Sequence, residues 1–347
     1  MSFLWYCFIC LFLFVGLGKE LAHARHFNRK NQVKLVANKK IKVDPSGKGN
    51  FSTIQSAIDS VPSNNKNWVQ INVNAGTYRE KLTIPVDKPY IIIEGQGKLN
   101  TFVEWDDHDN ILQCPTFSAW ANNLVIRFIS FRNSYNSPKN SNPMTPAVAT
   151  LISGNESYFL NVGFYGVQDT LWDNKGTHYY QNCTIQGAVD FIFGAGQSIF
   201  NGCDINVVDA EPGEDLAGFI TAQGRTNPND SNGFVFKNCS INVNGRTYLG
   251  RPWRPYARVL FYNSTMPNII EPEGWAPWNH TLEGDESTFA ESRNNGPGAD
   301  TSKRVSWVKK LDSVTVRKMT STRFVDNNGW LTRTVLIQSA KGTGRMF

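Results

Sequence analysis

"YYQNCTI" at 179–185, "IFNGCDI" at 199–205 and "VFKNCSI" at 235–241 are three versions of one phrase. Each is a short β-favouring run, an Asn or Gly turn, and a second short run. Similar runs fill the chain around them, among them "VQINVNAG" (69–76), "YIIIEGQG" (90–97), "LVIRFISFRN" (124–133), "SYFLNVGFYG" (157–166), "DFIFGAG" (190–196) and "ARVLFYNSTM" (257–266). Twenty residues separate Cys183 from Cys203, and 21 separate Asp169 from Asp190. A unit that short cannot hold a βαβ crossover, so each repeat reads as one coil of a solenoid. The fold expected is all-β: a right-handed parallel β-helix. A β-sandwich also uses many short strands, but it would carry hairpin turns instead of a coil-length repeat.

One helix is expected ahead of the coils. Phe51, Ile54, Ala57, Ile58 and Val61 recur at helical spacing between a Gly/Asn-rich entry and Pro62, which predicts a short N-terminal capping helix. Little else looks helical before the tail.

The same spacing gives two carboxylates a purpose. "GVQDTLW" (166–172) and "GAVDFIFG" (187–194) each hold an aspartate in an apolar frame. Residues one coil apart lie on neighbouring parallel strands, roughly 4.8 Å apart, so Asp169 and Asp190 stack rung over rung. Two like charges that close resist simultaneous ionisation, and one pKa should rise, which makes an acid and a base from two identical groups. By the same logic Pro146, 22 residues before Gln168, lies one rung earlier. Cys183 and Cys203 also stack, close enough for a disulfide.

Composition bounds the rest. The 347 residues, 40% hydrophobic, suffice for a substantial core. Residues 3–17 form a 15-residue apolar stretch, and "AHA" at 22–24 offers a small-x-small cleavage site, so 1–24 reads as a secretory signal peptide and 25–40 as a basic leader. Seven N-x-S/T sequons, at Asn50, Asn155, Asn182, Asn229, Asn238, Asn263 and Asn279, agree with a secreted glycoprotein. Removal of 1–24 takes away Lys19 and Glu20 together and leaves the net charge at +6, which suits a polyanionic partner such as an acidic polysaccharide. Cys7 and Cys10 fall in the signal; Cys114, Cys183, Cys203 and Cys239 remain and allow three pairings.

Taken together, "GTYREKL" (76–82), "GVQDTLW", "GAVDFIFG", "AQGRTNPND" (222–230), "YLGRPW" (248–253) and "GWAPWN" (274–279) resemble, in order, the signature blocks of plant-type pectin methylesterases. The likeness runs from Ile41 to Leu331, and residues 41–347 are read as the catalytic domain, in a form without the inhibitor-like N-terminal domain that members of this family often carry. The resemblance implies a cell-wall enzyme that hydrolyses methyl esters of galacturonate in pectin and releases methanol, with no metal or organic cofactor. It implies Asp190 as nucleophile, Asp169 as general acid/base and Gln168 as oxyanion donor, with Arg251 orienting the nucleophile and Trp253 and Thr116 touching substrate. A proteinaceous inhibitor is a further partner of the kind the family meets; a monomer is expected, with no membrane after signal cleavage and no nucleic acid.

One position departs from the pattern. The family normally reads Gln-Ala-Val-Ala, the glutamine being a second oxyanion donor, whereas this chain reads "TPAVAT" with Pro146 there. Proline offers neither a side-chain amide nor a backbone N–H, and one lost donor typically costs about 10²–10³ in turnover. Thr145, beside it, is a candidate partial substitute. Reduced activity is the expectation, and a catalytically impaired pectin-binding protein is the rival reading. A lyase would want a carboxylate cluster for Ca²⁺, and an inverting glycosidase more widely spaced carboxylates; the Gln-Asp pair with "LGRPW" argues against both. There is no G-x-S-x-G.

Overall fold

The computed structural model describes residues 37–136, 143–209, 217–242, 245–278 and 286–339, with the side chains of 335–339 left aside. The signal peptide, most of the basic leader, Cys7, Cys10 and the sequon at Asn279 lie outside the described residues.

Among the described residues the strands form three sheets of ten, seven and seven, and their pairings are parallel. Successive coils contribute one strand to each sheet, giving the right-handed parallel β-helix expected. The ten-stranded sheet begins at Lys39–Val43, so the first strand takes up the last two residues read as leader. Coil length varies more than the repeated phrase suggests. From Ser157 to His178 to Ser198 the steps are 21 and 20 residues, but Ser198 to Phe234 takes 36. Among the described residues, part of that added length, 224–232, lies outside the strands between Gly218–Gln223 and Gly233–Lys237, where insertions cost little.

The phrase itself now has a physical account. Its aromatic residue points inward and stacks on its counterparts one coil away: Phe159, Tyr180, Phe200, Phe236 and Phe261 form a ladder with centroid separations of 4.7, 4.5, 4.6 and 4.4 Å. Its Asn or Gly is the corner between two sheets. Asn161, Asn182, Gly202, Asn238 and Asn263 all have φ between 50° and 62°, the left-handed region that Gly and Asn enter most readily. The cysteine then turns inward as a small buried residue. Cys183, Cys203 and Cys239 stack, but all three are free thiols. The disulfide considered for Cys183 and Cys203 is thus absent: each thiol donates instead to carbonyls of the coil, Cys183 to Gln181 O at 3.5 Å and Cys239 to Phe200 O at 3.3 Å.

The capping helix is Ile54–Asp59, with Ile54, Ala57 and Ile58 buried. Thr53 caps it by accepting from Ser56 N, and Glu80 of "GTYREKL" accepts from the orphan N–H groups of Ile54 (2.8 Å) and Gln55 (3.0 Å). That signature block therefore has a structural task. After the last coil, helices Ser313–Thr320 and Trp330–Ser339 follow.

Candidate active site

Asp169 and Asp190 occupy equivalent positions on successive coils of the seven-stranded sheet that ends in Thr247–Pro252. The Gln168–Val189 bridge and the Asp169 N to Val189 O bond (3.1 Å) fix that register. Both aspartates have left-handed backbone, φ 60° and 49°. Asp and Asn tolerate this region better than other non-glycine residues, and at Asp190 it coincides with a break in register between Val189 and Ile192. Asp190 thus sits at an irregularity inside strand Val189–Gly194, and Asp169 in a bend between the Gln168 bridge and strand Leu171–Asp173.

The two carboxyls differ in their partners. Arg251, from two coils further along, grips Asp190 with both ends of its fork, Nε to Oδ1 at 2.8 Å and Nη2 to Oδ2 at 2.5 Å. Its guanidinium carbon lies 3.9 Å from the Phe219 ring centroid and 4.2 Å from that of Trp278, so two aromatic faces hold the fork. Asp190 is only 7% exposed, and burial raises its pKa; the Arg251 pair pulls against that rise without cancelling it. Asp169 makes no side-chain hydrogen bond among the described residues. Burial first, and then the charge of Asp190, push its pKa up to about 7, with Arg251 opposing. At neutral pH such a group exists in both forms, which suits alternate donation and acceptance of a proton.

Gln168 precedes Asp169 with a part-exposed side-chain amide uncommitted among the described residues. Beside the carboxylates runs an apolar floor, built from one residue per coil: Leu151, Trp172, Phe193 and Ala222 are paired in register and lead to Arg251. Trp172 stacks on Phe193 at 5.4 Å, and the half-buried Trp253 meets Phe193 edge-on at 6.0 Å. Gly224 allows this, since a Cβ there would come 2.7 Å from the Trp253 ring.

Two sequence expectations fare differently. Thr116 is fully buried and donates to the Arg132 carbonyl at 3.0 Å, so its hydroxyl is turned away from any surface sugar. Thr145 donates to Asp109 Oδ1 at 2.7 Å, which occupies the hydroxyl considered as a stand-in for the missing donor. Pro146 lies on the coil before Gln168, its carbonyl accepting from Asp109 N at 2.9 Å. Phe219 escaped the sequence reading for want of any motif; Trp278 lies inside "GWAPWN" but carried no role. Among the described residues no three His, Cys, Asp or Glu side chains gather as a metal-ligand set.

Residues 40–328 match the pectinesterase family. The chain belongs to that family. Its reaction is the hydrolysis of methyl esters in pectin. Probable pectinesterase 29 of Arabidopsis thaliana is 53% identical over 300 residues, covering 85% of this chain and 90% of its own length. Probable pectinesterase 55 of the same plant is 54% identical over 293 residues, covering 83% and 89%. Among solved structures, a pectin methylesterase from carrot superposes with a TM-score of 0.80 at 30% identity, covering 86% of this pectinesterase-family chain and 96% of its own.

Proposed function

We propose that this pectinesterase-family chain de-esterifies galacturonate units by a two-step double displacement on the stacked aspartates. An ionised Asp190 oxygen attacks the ester carbonyl carbon, and the oxygen that gains charge takes a hydrogen bond from the Gln168 amide. Neutral Asp169 gives its proton to the departing methoxy oxygen, so methanol leaves and an anhydride joins Asp190 to the sugar. Asp169, now a carboxylate, takes a proton from water as that water attacks the anhydride; ionised Asp190 leaves, Asp169 is reprotonated, and the galacturonic acid loses its proton to solvent to become a carboxylate. Arg251 serves as a positioning residue for the nucleophile, and Trp253 offers an apolar face to a sugar ring.

The observation that carries this reading is the asymmetry of the pair. Asp190 holds the Arg251 fork, while Asp169 has none and titrates near neutrality. With Pro146 in place of a second amide donor, turnover is set below that of a chain bearing glutamine there. Methanol release from highly esterified pectin by wild type, beside none from Asp190→Ala, is the expected result. Wild type that binds pectin yet liberates no methanol would favour the impaired-binder reading instead.

A secreted, cell-wall setting fits the same picture, with residues 1–24 as signal peptide, the basic leader behind it and the catalytic domain from 41 onward. The six described sequon asparagines are all exposed, which suits glycosylation, and no helix among the described residues is long and apolar enough to cross a membrane. The chain is read as a monomer open to a proteinaceous inhibitor.

A further inference from the structure

On the ten-stranded sheet, away from the aspartates, lies a cavity of about 780 Å³. Its floor includes Thr177, Gln197, Arg258 and Thr288, each the first residue of its strand on the ten-stranded sheet, with Gly233 beneath the Arg258 side chain. Its far wall is helix Ser313–Thr320 with the turn Thr322–Phe324, which bring Lys318 and Arg323 to the rim. Lys237 Nζ to Thr320 O (3.2 Å) and a Gln197 to Phe324 hydrogen bond hold this wall on the sheet.

Charge in the cavity is not balanced. Arg258, Lys318 and Arg323 form no ion pair among the described residues, and the lining offers one carboxylate, Asp230. Arg258 spends only Nη1 on protein, donating to Ser231 O and Asn232 O at 3.1 and 3.4 Å. Its stem lies across Gly233, where a Cβ would come within 2.9 Å of Arg258 Cγ and Cδ, so the glycine is a cradle for this side chain. Behind it sits a second guanidinium, Arg225, 3% exposed, with Nε unpartnered and no ion pair. Burial first, and Arg225 second, hold Arg258 below its usual value, at about 10. Asp230 is the one carboxylate whose charge acts on Arg225, and it is set against Arg225, Arg258, Lys318 and Arg323; positive charge in such excess in a part-dry site is costly unless an anion arrives.

We propose that this cavity is a second polysaccharide site that takes the free carboxylates of de-esterified galacturonate, the product of the cleft. The ligand class rests on the pectin reading above; the anion preference rests on the cations alone. The volume argues for a sugar over a small ion, since about 780 Å³ lies inside the range of small-molecule sites and far above the ~30 Å³ share of a water. The hydroxyls of Thr177 and Thr288 along the floor supply partners for sugar oxygens between the charges, while the Gln197 amide is taken up by Phe324 O and the Ser231 hydroxyl. A chain held here keeps the enzyme on a stretch it has already processed.

Calorimetric titration tests the site with three probes: a galacturonate trimer, its methyl-esterified form, and sodium sulfate. The acid trimer should bind wild type at two sites. Lys318→Gln with Arg323→Gln, both exposed positions, should weaken one of them about tenfold or more, as should Arg258→Gln, and added salt should weaken it too. Trp253→Ala should weaken only the other, and the esterified trimer should ignore the cavity. Methanol release from a short esterified oligomer should be unchanged in the double variant. An isotherm untouched by the double variant, loss of all binding in Trp253→Ala, or sulfate matching the trimer in affinity would each overturn the proposal. Absence of methanol release from every protein would count against the esterase reading and leave the isotherms to judge the cavity.

Discussion

Asp169→Asn separates stability from chemistry. In the folded protein the Asp169 carboxyl titrates at about 7 instead of 3.8, because burial and Asp190 oppose its charge. A raised folded-state pKa contributes stability that is complete below the unfolded value, near 3.8, and is lost as pH rises through about 7. The rise from 3.8 to about 7, with each tenfold change in proton affinity worth roughly 1.4 kcal/mol, is about 4 kcal/mol forfeited by wild type at pH 8–9. Asparagine cannot ionise, keeps the shape of the neutral acid and tolerates the left-handed backbone at φ 60°. The variant should therefore match wild type in thermal stability near pH 4 and exceed it increasingly up to pH 8–9, by up to about 4 kcal/mol, while methanol release is lost. Thermal unfolding followed by circular dichroism across pH 4–9 measures the gap. A gap that is constant with pH, or that favours wild type at pH 8, would refute the assignment of a neutral-range proton to Asp169.

Arg251→Lys keeps a charge but loses the fork and the fit between Phe219 and Trp278, so kcat should fall roughly a hundredfold and the acidic limb of the pH–rate profile should move to higher pH as Asp190 becomes harder to ionise. Pro146→Gln should raise kcat, by up to about 10²-fold if the amide reaches the oxyanion, with KM little changed; a steady-state comparison in which nothing moves would count against the missing-donor account. Because Cys183, Cys203 and Cys239 are free, reducing agent should leave the melting temperature where it was. Gly196→Ala should unfold the protein or cost roughly 3 kcal/mol or more, since a Cβ there would meet Asp173 Oδ1 at 1.5 Å, inside a buried network with Ser198, Tyr180 and His178.

Periodicity alone carried the sequence a long way. The recurring aromatic, Asn or Gly and cysteine encode one ring for the inner ladder, one left-handed corner and one small inward residue per coil, and all three are local demands that a repeat can state. The stacking of Asp169 on Asp190 follows from the same arithmetic, because strand neighbours in a β-helix are coil-length neighbours in sequence. The disulfide shows where that arithmetic stops: adjacency was legible for Cys183 and Cys203, but the direction of each Sγ was decided by the carbonyls it could reach.

What only the tertiary structure decided involves contacts across coils of unequal length. Phe219 and Trp278 clasp Arg251 from segments separated by variable loops, so no fixed spacing announces them. Thr116 matched a pattern yet its hydroxyl turned to Arg132, because one rotamer inside a packed rung outweighs a motif. The different states of two identical carboxyls belong here as well. Sequence set them side by side; burial raised both, and an arginine whose fork hydrogen-bonds only Asp190 made their surroundings unlike, since both effects depend on distance and dielectric in three dimensions.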